Sequence, residues 1–191
     1  MNTTRNLEPL PQQKSVKDYY GRVLQANSDL RTSACCTSES LPHRIRAVVQ
    51  QIHPEVLEKF YGCGSPIPPA LDGMTVLDLG AGSGRDCFIL SRLVGANGRV
   101  VGVDMTPAQV AVARKHVEYH TREFGYPRPN VVFHEGYIED LAAIGIGDDS
   151  VDVVVSNCVL NLSPDKTGKD LGTVLGLPKK LRIKVAADAI R

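Results

Sequence analysis

No stretch of this 191-residue chain approaches the roughly 18 consecutive apolar residues of a membrane-crossing helix, so no transmembrane helix is expected. The opening segment, MNTTRNLEPLPQQKSVKD, lacks an apolar core, and a secretory leader is not expected. There is no C-x-x-C pair, which argues against a zinc ribbon or a thioredoxin-type site. The cysteines number five, an odd count without an export signal, so a disulfide framework is not expected either. An excess of charge is also missing. The chain holds 22 Lys and Arg against 21 Asp and Glu, a net of +1, which argues against a bulk nucleic-acid binder. What is present, 42% hydrophobic and 23% charged residues, suits a soluble globular protein of one domain, expected in the cytoplasm.

Three regions differ in pattern. Residues 1–72 read as helices: 14–27 with Val16, Tyr19, Tyr20, Val23 and Leu24 at helical spacing, one opened by Pro42, and one from Pro54 to Tyr61. Between them lies a polar segment with Cys35 and Cys36, and after them a glycine-flanked loop, Tyr61-Gly62-Cys63-Gly64. Residues 73–165 alternate strand and helix. Strands are expected at 75–79, 100–103, 131–133 and 151–155, the last a continuous β-branched run. Helices are expected at 87–94 and 106–124, the second with Thr106 as N-cap, Pro107 next, Gln109 at the third position and Gly125 as its stop. A short helical turn is expected over 138–143. Such alternation means βαβ units and a parallel sheet, an α/β fold.

The sharpest local signal is the strand that runs into Gly80-Ala81-Gly82-Ser83-Gly84 and then a helix. Glycines there let a ligand approach the backbone at a helix start, and Asp104 ends the next strand where a carboxylate can take both hydroxyls of a ribose. Asp78 stands just before the first glycine and Asp86 in the first turn of the helix. Two acids there disfavour a pyrophosphate and suit a positively charged ligand, so S-adenosylmethionine fits better than NAD. Glu139 falls on the same sheet rim and suits an adenine amino group, with Asn157 and Cys158 at the end of the fourth strand. The expected cofactor residues are Asp78, Gly80, Gly82, Gly84, Asp104, Met105, Ile138, Glu139 and Asn157.

YYG near the start, Tyr61-Gly-Cys-Gly64, LDLGAGSGRDC at 77–87, GVDMT at 102–106 and SNCVLNLSPDK at 156–166 together resemble the arsenite methyltransferases. The resemblance covers about residues 14–166. It implies a Rossmann-like class I methyltransferase sheet with N-terminal helices, and transfer of a methyl group from S-adenosylmethionine to trivalent arsenic. It implies that Cys35, Cys63 and Cys158 are the catalytic thiols and As(III) ligands, with Cys36 an open alternative to Cys35. Such thiols suit a soft centre. It also implies a thiol reductant such as glutathione or thioredoxin, and arsenite or its thiol complexes as the small-molecule partner. Cys87, in the first helix of the sheet region, is expected to pack only. Another small-molecule methyltransferase and a non-catalytic binder of S-adenosylmethionine or As(III) are the alternatives.

Residues 166–191 depart from that resemblance. They carry a net +5, against −4 for the first 165, with Gly168, Gly172, Gly176 and Pro178. They read as a divergent basic tail without a good strand, as in a truncated or replaced C-terminus. The sheet is then expected to be incomplete at its C-terminal side, with the fourth strand an exposed edge open to self-association and activity reduced.

Overall fold

Val76, Leu77 and Leu79 are apolar at near-consecutive positions because the strand they form is covered on both faces. A computed structural model of the chain describes residues 11–19, 21, 41–62, 65–147, 150–157, 159 and 182–186. Three helices come first: α1 (Pro11–Asp18), α2 (His43–Val49) and α3 (Pro54–Glu58). Then follow β1 (Thr75–Leu79), α4 (Arg85–Val94), β2 (Arg99–Asp104), α5 (Pro107–Lys115), α6 (Val117–Glu123), β3 (Val131–Glu135), β4 (Val153–Asn157) and β5 (Arg182–Ala186). The strands form one sheet in the order β3-β2-β1-β4-β5, parallel throughout.

The two-residue period of the strands sorts the core. Val76, Val100, Val153 and Val155 face the layer that holds Phe88, Ile89 and Leu90 of α4, together with Ile45 and Val48 of α2 and Val56 of α3. Leu77, Leu79, Val101, Val103 and Val154 face the other layer, closed by Ile138 and Leu141. Asp78 shares the α4 side by the same alternation. Phe88 is fully buried and stacks on the His120 ring with centroids 3.6 Å apart.

The four expected strands are present, each within two residues of its expected bounds. Three expectations are corrected. The basic tail does supply a strand: Arg182 pairs with Val153 and Ala186 with Asn157, so β4 is interior, and among the described residues β3 and β5 are the edges. Leu181, Ile183 and Val185 alternate with Arg182 and Lys184, an edge-strand pattern that the surrounding glycines and charge obscured. The helix expected over 106–124 is two helices, broken at His116 (φ −102°, ψ 7°), whose ring is held by a neighbouring element described below. Thr106 occupies the N-cap position without a side-chain cap bond; the Asp104 carboxylate accepts its backbone N–H instead. Over 138–143 there is a turn followed by a 3₁₀ segment, Ala142–Ile144.

Candidate active site

The C-terminal ends of β1, β2 and β4 open into a cleft, the rim where open α/β sheets bind their ligands. The glycine loop forms its floor. Gly80 has φ 78°, and a side chain there would collide with Val159. Gly84 has φ 91°, and a Cβ would lie 2.8 Å from the Phe133 ring. Both positions therefore exclude larger residues on two counts. Ser83 Oγ donates to the Val56 carbonyl at 2.9 Å, which ties the loop to α3.

Asp104 sits at the loop's tip. Its Oδ2 accepts from Gly82 N–H at 2.9 Å and its Oδ1 from Thr106 N–H at 2.8 Å. Burial raises its pKa, and those backbone donors pull it back. Its oxygens are thus oriented before any ligand arrives. Asp78 is buried one strand away and raised to about 8, first by burial and then by the negative charges of Asp86 and Asp104. Cys87 Sγ donates to Asp78 Oδ2 at 3.1 Å, so the thiol does more than fill space. Gly102 on β2 leaves room for that thiol, since a Cβ there would stand 2.7 Å from Cys87 Sγ. Burial and the neighbouring acids hold the Cys87 thiol well above its ordinary pKa.

Asp86, in the first turn of α4, accepts from Arg85 Nη1 at 3.0 Å and from Asn157 Nδ2 at 2.8 Å. Burial raises it, and those two partners lower it. The Arg85 guanidinium lies over the Phe60 ring at 4.1 Å. α1 closes another side: Val16 lines the cleft, and Lys17 lies 3.6 Å from Glu135 at the end of β3.

Every expected cofactor residue except Gly84 lines this cleft: Asp78, Gly80, Gly82, Asp104, Met105, Ile138, Glu139 and Asn157. Gly84 instead shapes the turn into α4. Cys35, Cys36, Cys63 and Cys158 lie outside the described residues. Gly62, before Cys63 in sequence, and Asn157 and Val159, on either side of Cys158, do line the cleft. Sequence reasoning missed Phe60, Tyr61 and Gln109 as cleft residues. Gln109 looked like a helix-capping side chain, yet its Oε1 is a buried acceptor without a partner on the cleft wall.

Among the described residues, one group of metal-type donors stands apart: His53, Glu55 and His116, within 4.8 Å of one another. Glu55 Oε2 is 2.7 Å from both Lys115 Nζ and His116 Nε2, and these bonds hold its carboxyl down to about 2. The His53 and His116 rings stack 3.8 Å apart, so their in-plane lone pairs run side by side and do not converge on an ion. With an ammonium already on the shared oxygen, the group is a junction that fastens α3 to the α5–α6 break.

A family model described as a methyltransferase domain matches residues 70–171. The arsenite methyltransferase of Aquipseudomonas alcaligenes is 58% identical over 153 residues, covering 80% of this chain and 44% of that protein. The human arsenite methyltransferase is 51% identical over 155 residues, covering 81% of this chain and 41% of that protein. A crystal structure of an arsenic(III) S-adenosylmethionine methyltransferase from Chlamydomonas reinhardtii superposes with a TM-score of 0.65 at 51% identity, covering 66% of this chain and 42% of that one. The chain spans less than half the length of these relatives. Among the described residues, no helix is long and apolar enough to cross a membrane.

Proposed function

The chain belongs to the methyltransferase-domain family, and on that premise we propose that it binds S-adenosylmethionine in the cleft and methylates thiol-bound trivalent arsenic, in the cytoplasm. The observation that carries this reading is an acceptor-rich wall: the pre-oriented Asp104 carboxylate, buried Asp78 and Asp86, and the unpartnered Gln109 Oε1. A nucleoside with hydroxyl and amino donors and a positively charged sulfur fits such a lining.

Asp104 takes the ribose hydroxyls, and the Gly80–Gly84 loop lets the nucleoside lie against the backbone. Ile138, Met105 and Glu139 receive the adenine, and Asp78 faces the cationic end. Bound there, the cofactor supplies a methyl group on a sulfonium. Asn157 and Gly62 flank that end, and the thiols next to them in sequence, Cys158 and Cys63, hold the arsenic with Cys35. Thiolate ligation replaces hydroxide and keeps an electron-rich centre at the methyl, which is a proximity effect. Methylation takes the arsenic lone pair into a new bond, so a thiol reductant such as glutathione or thioredoxin completes turnover. Residues 73–165 form the cofactor core, and 1–72 close over it.

The test incubates the purified chain with arsenite, glutathione and methyl-labelled S-adenosylmethionine. Labelled methylarsenic product is expected. Cofactor binding with no labelled arsenical would leave a binding protein, and label on another small molecule would reassign the substrate.

A further inference from the structure

Asp78, Asp86, Asp104 and Glu139 all line the cleft, and among the described residues Lys59 is the one cation on its wall. Three of those acids already have partners from the chain. Asp78 takes the Cys87 thiol, Asp104 two backbone N–H groups, and Asp86 the Arg85 guanidinium and the Asn157 amide. The cations around the rim are engaged as well: Arg85 with Asp86, Lys17 with Glu135, Lys115 with Glu55, and Arg114 with the Phe133 carbonyl. The half-buried Lys59 is the exception, since its ammonium has no ion-pair or hydrogen-bond partner among the described residues. Its backbone is nonetheless fixed. Lys59 N–H caps α3 by donating to the Glu55 and Leu57 carbonyls, and α3 is seated by buried Val56, whose carbonyl accepts from Ser83 Oγ. A flexible four-carbon stem therefore starts from a fixed point on the wall.

We infer that Lys59 binds the carboxylate at the amino-acid end of S-adenosylmethionine, and so makes the cleft select a ligand that carries one. The inference rests on the cofactor reading above. The cofactor bears a sulfonium, an ammonium and a carboxylate. The acidic wall attracts the first two and repels the third, so the carboxylate needs the one place of opposite sign. Lys59, Phe60, Tyr61 and Gly62 are consecutive, and all four line the cleft. Gly62 stands against the end of β4, where a Cβ on it would lie 2.8 Å from Asn157 Nδ2. That segment flanks the sulfonium and amino-acid end, away from the adenine side at Met105 and Ile138. Arsenite is uncharged at neutral pH and has no need of the ammonium. An adenosine ligand without a carboxylate leaves Lys59 unpaired, which is a penalty against the wrong ligand.

Isothermal titration of the purified chain, without arsenite, compares S-adenosylmethionine with its decarboxylated form, which keeps the nucleoside, the sulfonium and the amino group. The parent is expected to bind the decarboxylated form about tenfold more weakly, the low end of the scale for a charge-assisted hydrogen bond because Lys59 is half-buried. Lys59→Met is expected to lose about tenfold for S-adenosylmethionine and less than about twofold for the decarboxylated form, so that the two ligands bind alike. Lys59→Arg keeps the charge and the preference. The preference of the parent is expected to shrink as salt is added. Equal affinity of the parent for both ligands overturns the inference without any variant. A Lys59→Met protein that keeps the preference, or that loses both ligands equally, overturns it too. A parent that binds neither ligand overturns the cofactor reading itself, and the inference with it.

Discussion

Cys87 donates its thiol proton to Asp78 Oδ2 across 3.1 Å, between two side chains that are both buried. The bond joins the first turn of α4 to the middle of β1 and aims an acid of the cleft wall. It also separates Cys87 from the other cysteines. A thiol whose pKa is pushed well above the ordinary value stays protonated at neutral pH.

Binding of S-adenosylmethionine is expected to strengthen as pH rises from about 6 toward 8, by at most about tenfold per unit. The free protein holds a proton on Asp78 up to about pH 8, and a cationic ligand favours the ionised form, so binding expels that proton. The groups facing Asp78 are Asp86 and Cys87 from α4 and Asp104 from β2, with Arg85 engaged by Asp86. Stability of the ligand-free protein runs the other way. Asp78's contribution is complete below its unfolded value near 3.8 and lost as pH climbs through about 8. Calorimetry in buffers of different ionisation heat reads the proton release. Cys87→Ala removes the donor that lowers the Asp78 pKa, so the affinity profile moves to higher pH, and Cys87→Ser restores it. Equal profiles in all three proteins would return Cys87 to a packing role.

Asp104→Ala is expected to weaken S-adenosylmethionine binding by about 1.5–3 kcal/mol, the scale of a charge-assisted hydrogen bond. The same change frees the N–H groups of Gly82 and Thr106, so a folded variant should be confirmed by its thermal transition. Unchanged affinity in that folded protein removes Asp104 from the ribose site.

Cys63→Ser and Cys158→Ser are each expected to weaken arsenite binding and abolish methylation while leaving cofactor affinity in place. Isothermal titration with arsenite and with S-adenosylhomocysteine separates the two effects. Parental arsenite affinity in either variant would favour a different small-molecule substrate.

A chain ending at residue 180 lacks β5 and exposes the β4 ladder from Val153 to Asn157. Concentration-dependent association by sedimentation is expected for it, and less for the intact chain. In the intact chain, amide exchange at 182–186 should be slowed by the pairing with β4. Fast exchange there would mean that the fifth strand forms only transiently.

The sheet was legible because strands buried on both faces leave unbroken apolar runs, as in Val153-Val154-Val155. The glycine loop and Asp104 were legible for a similar reason, since their spacing is local to one strand–turn–helix unit. What stayed hidden depends on packing between units. The break at His116 occurs where Glu55 and His53 engage its ring, 61 residues away for the Glu55 bond. Gln109 carried a capping signal, yet its side chain turned to the cleft wall. Five residues of alternating pattern in β5 were outweighed by the glycine, proline and charge around them. The Cys87–Asp78 bond needs the register of α4 on β1, which no spacing rule supplies.

Gly102 stands beside Asp78 in the β1–β2 register and offers no side chain to the cleft, yet the space above it is where the Cys87 sulfur rests, 2.7 Å from any Cβ placed there. Positions 78, 87 and 102 are thus epistatic. A methyl group on β2 displaces the sulfur, the displaced sulfur releases the acid, and the acid's proton affinity changes on that same face of the sheet. In a saturation library scored by cofactor binding, Gly102→Ala should look as damaging as a change in the cleft wall. Pairing it with Cys87→Ser, whose smaller hydroxyl still donates, should recover part of the loss. Site-by-site scoring would miss this, because the tolerance of a backbone glycine on β2 is set by the atoms that stand over it, the Cys87 sulfur on α4 and the Phe133 ring on β3.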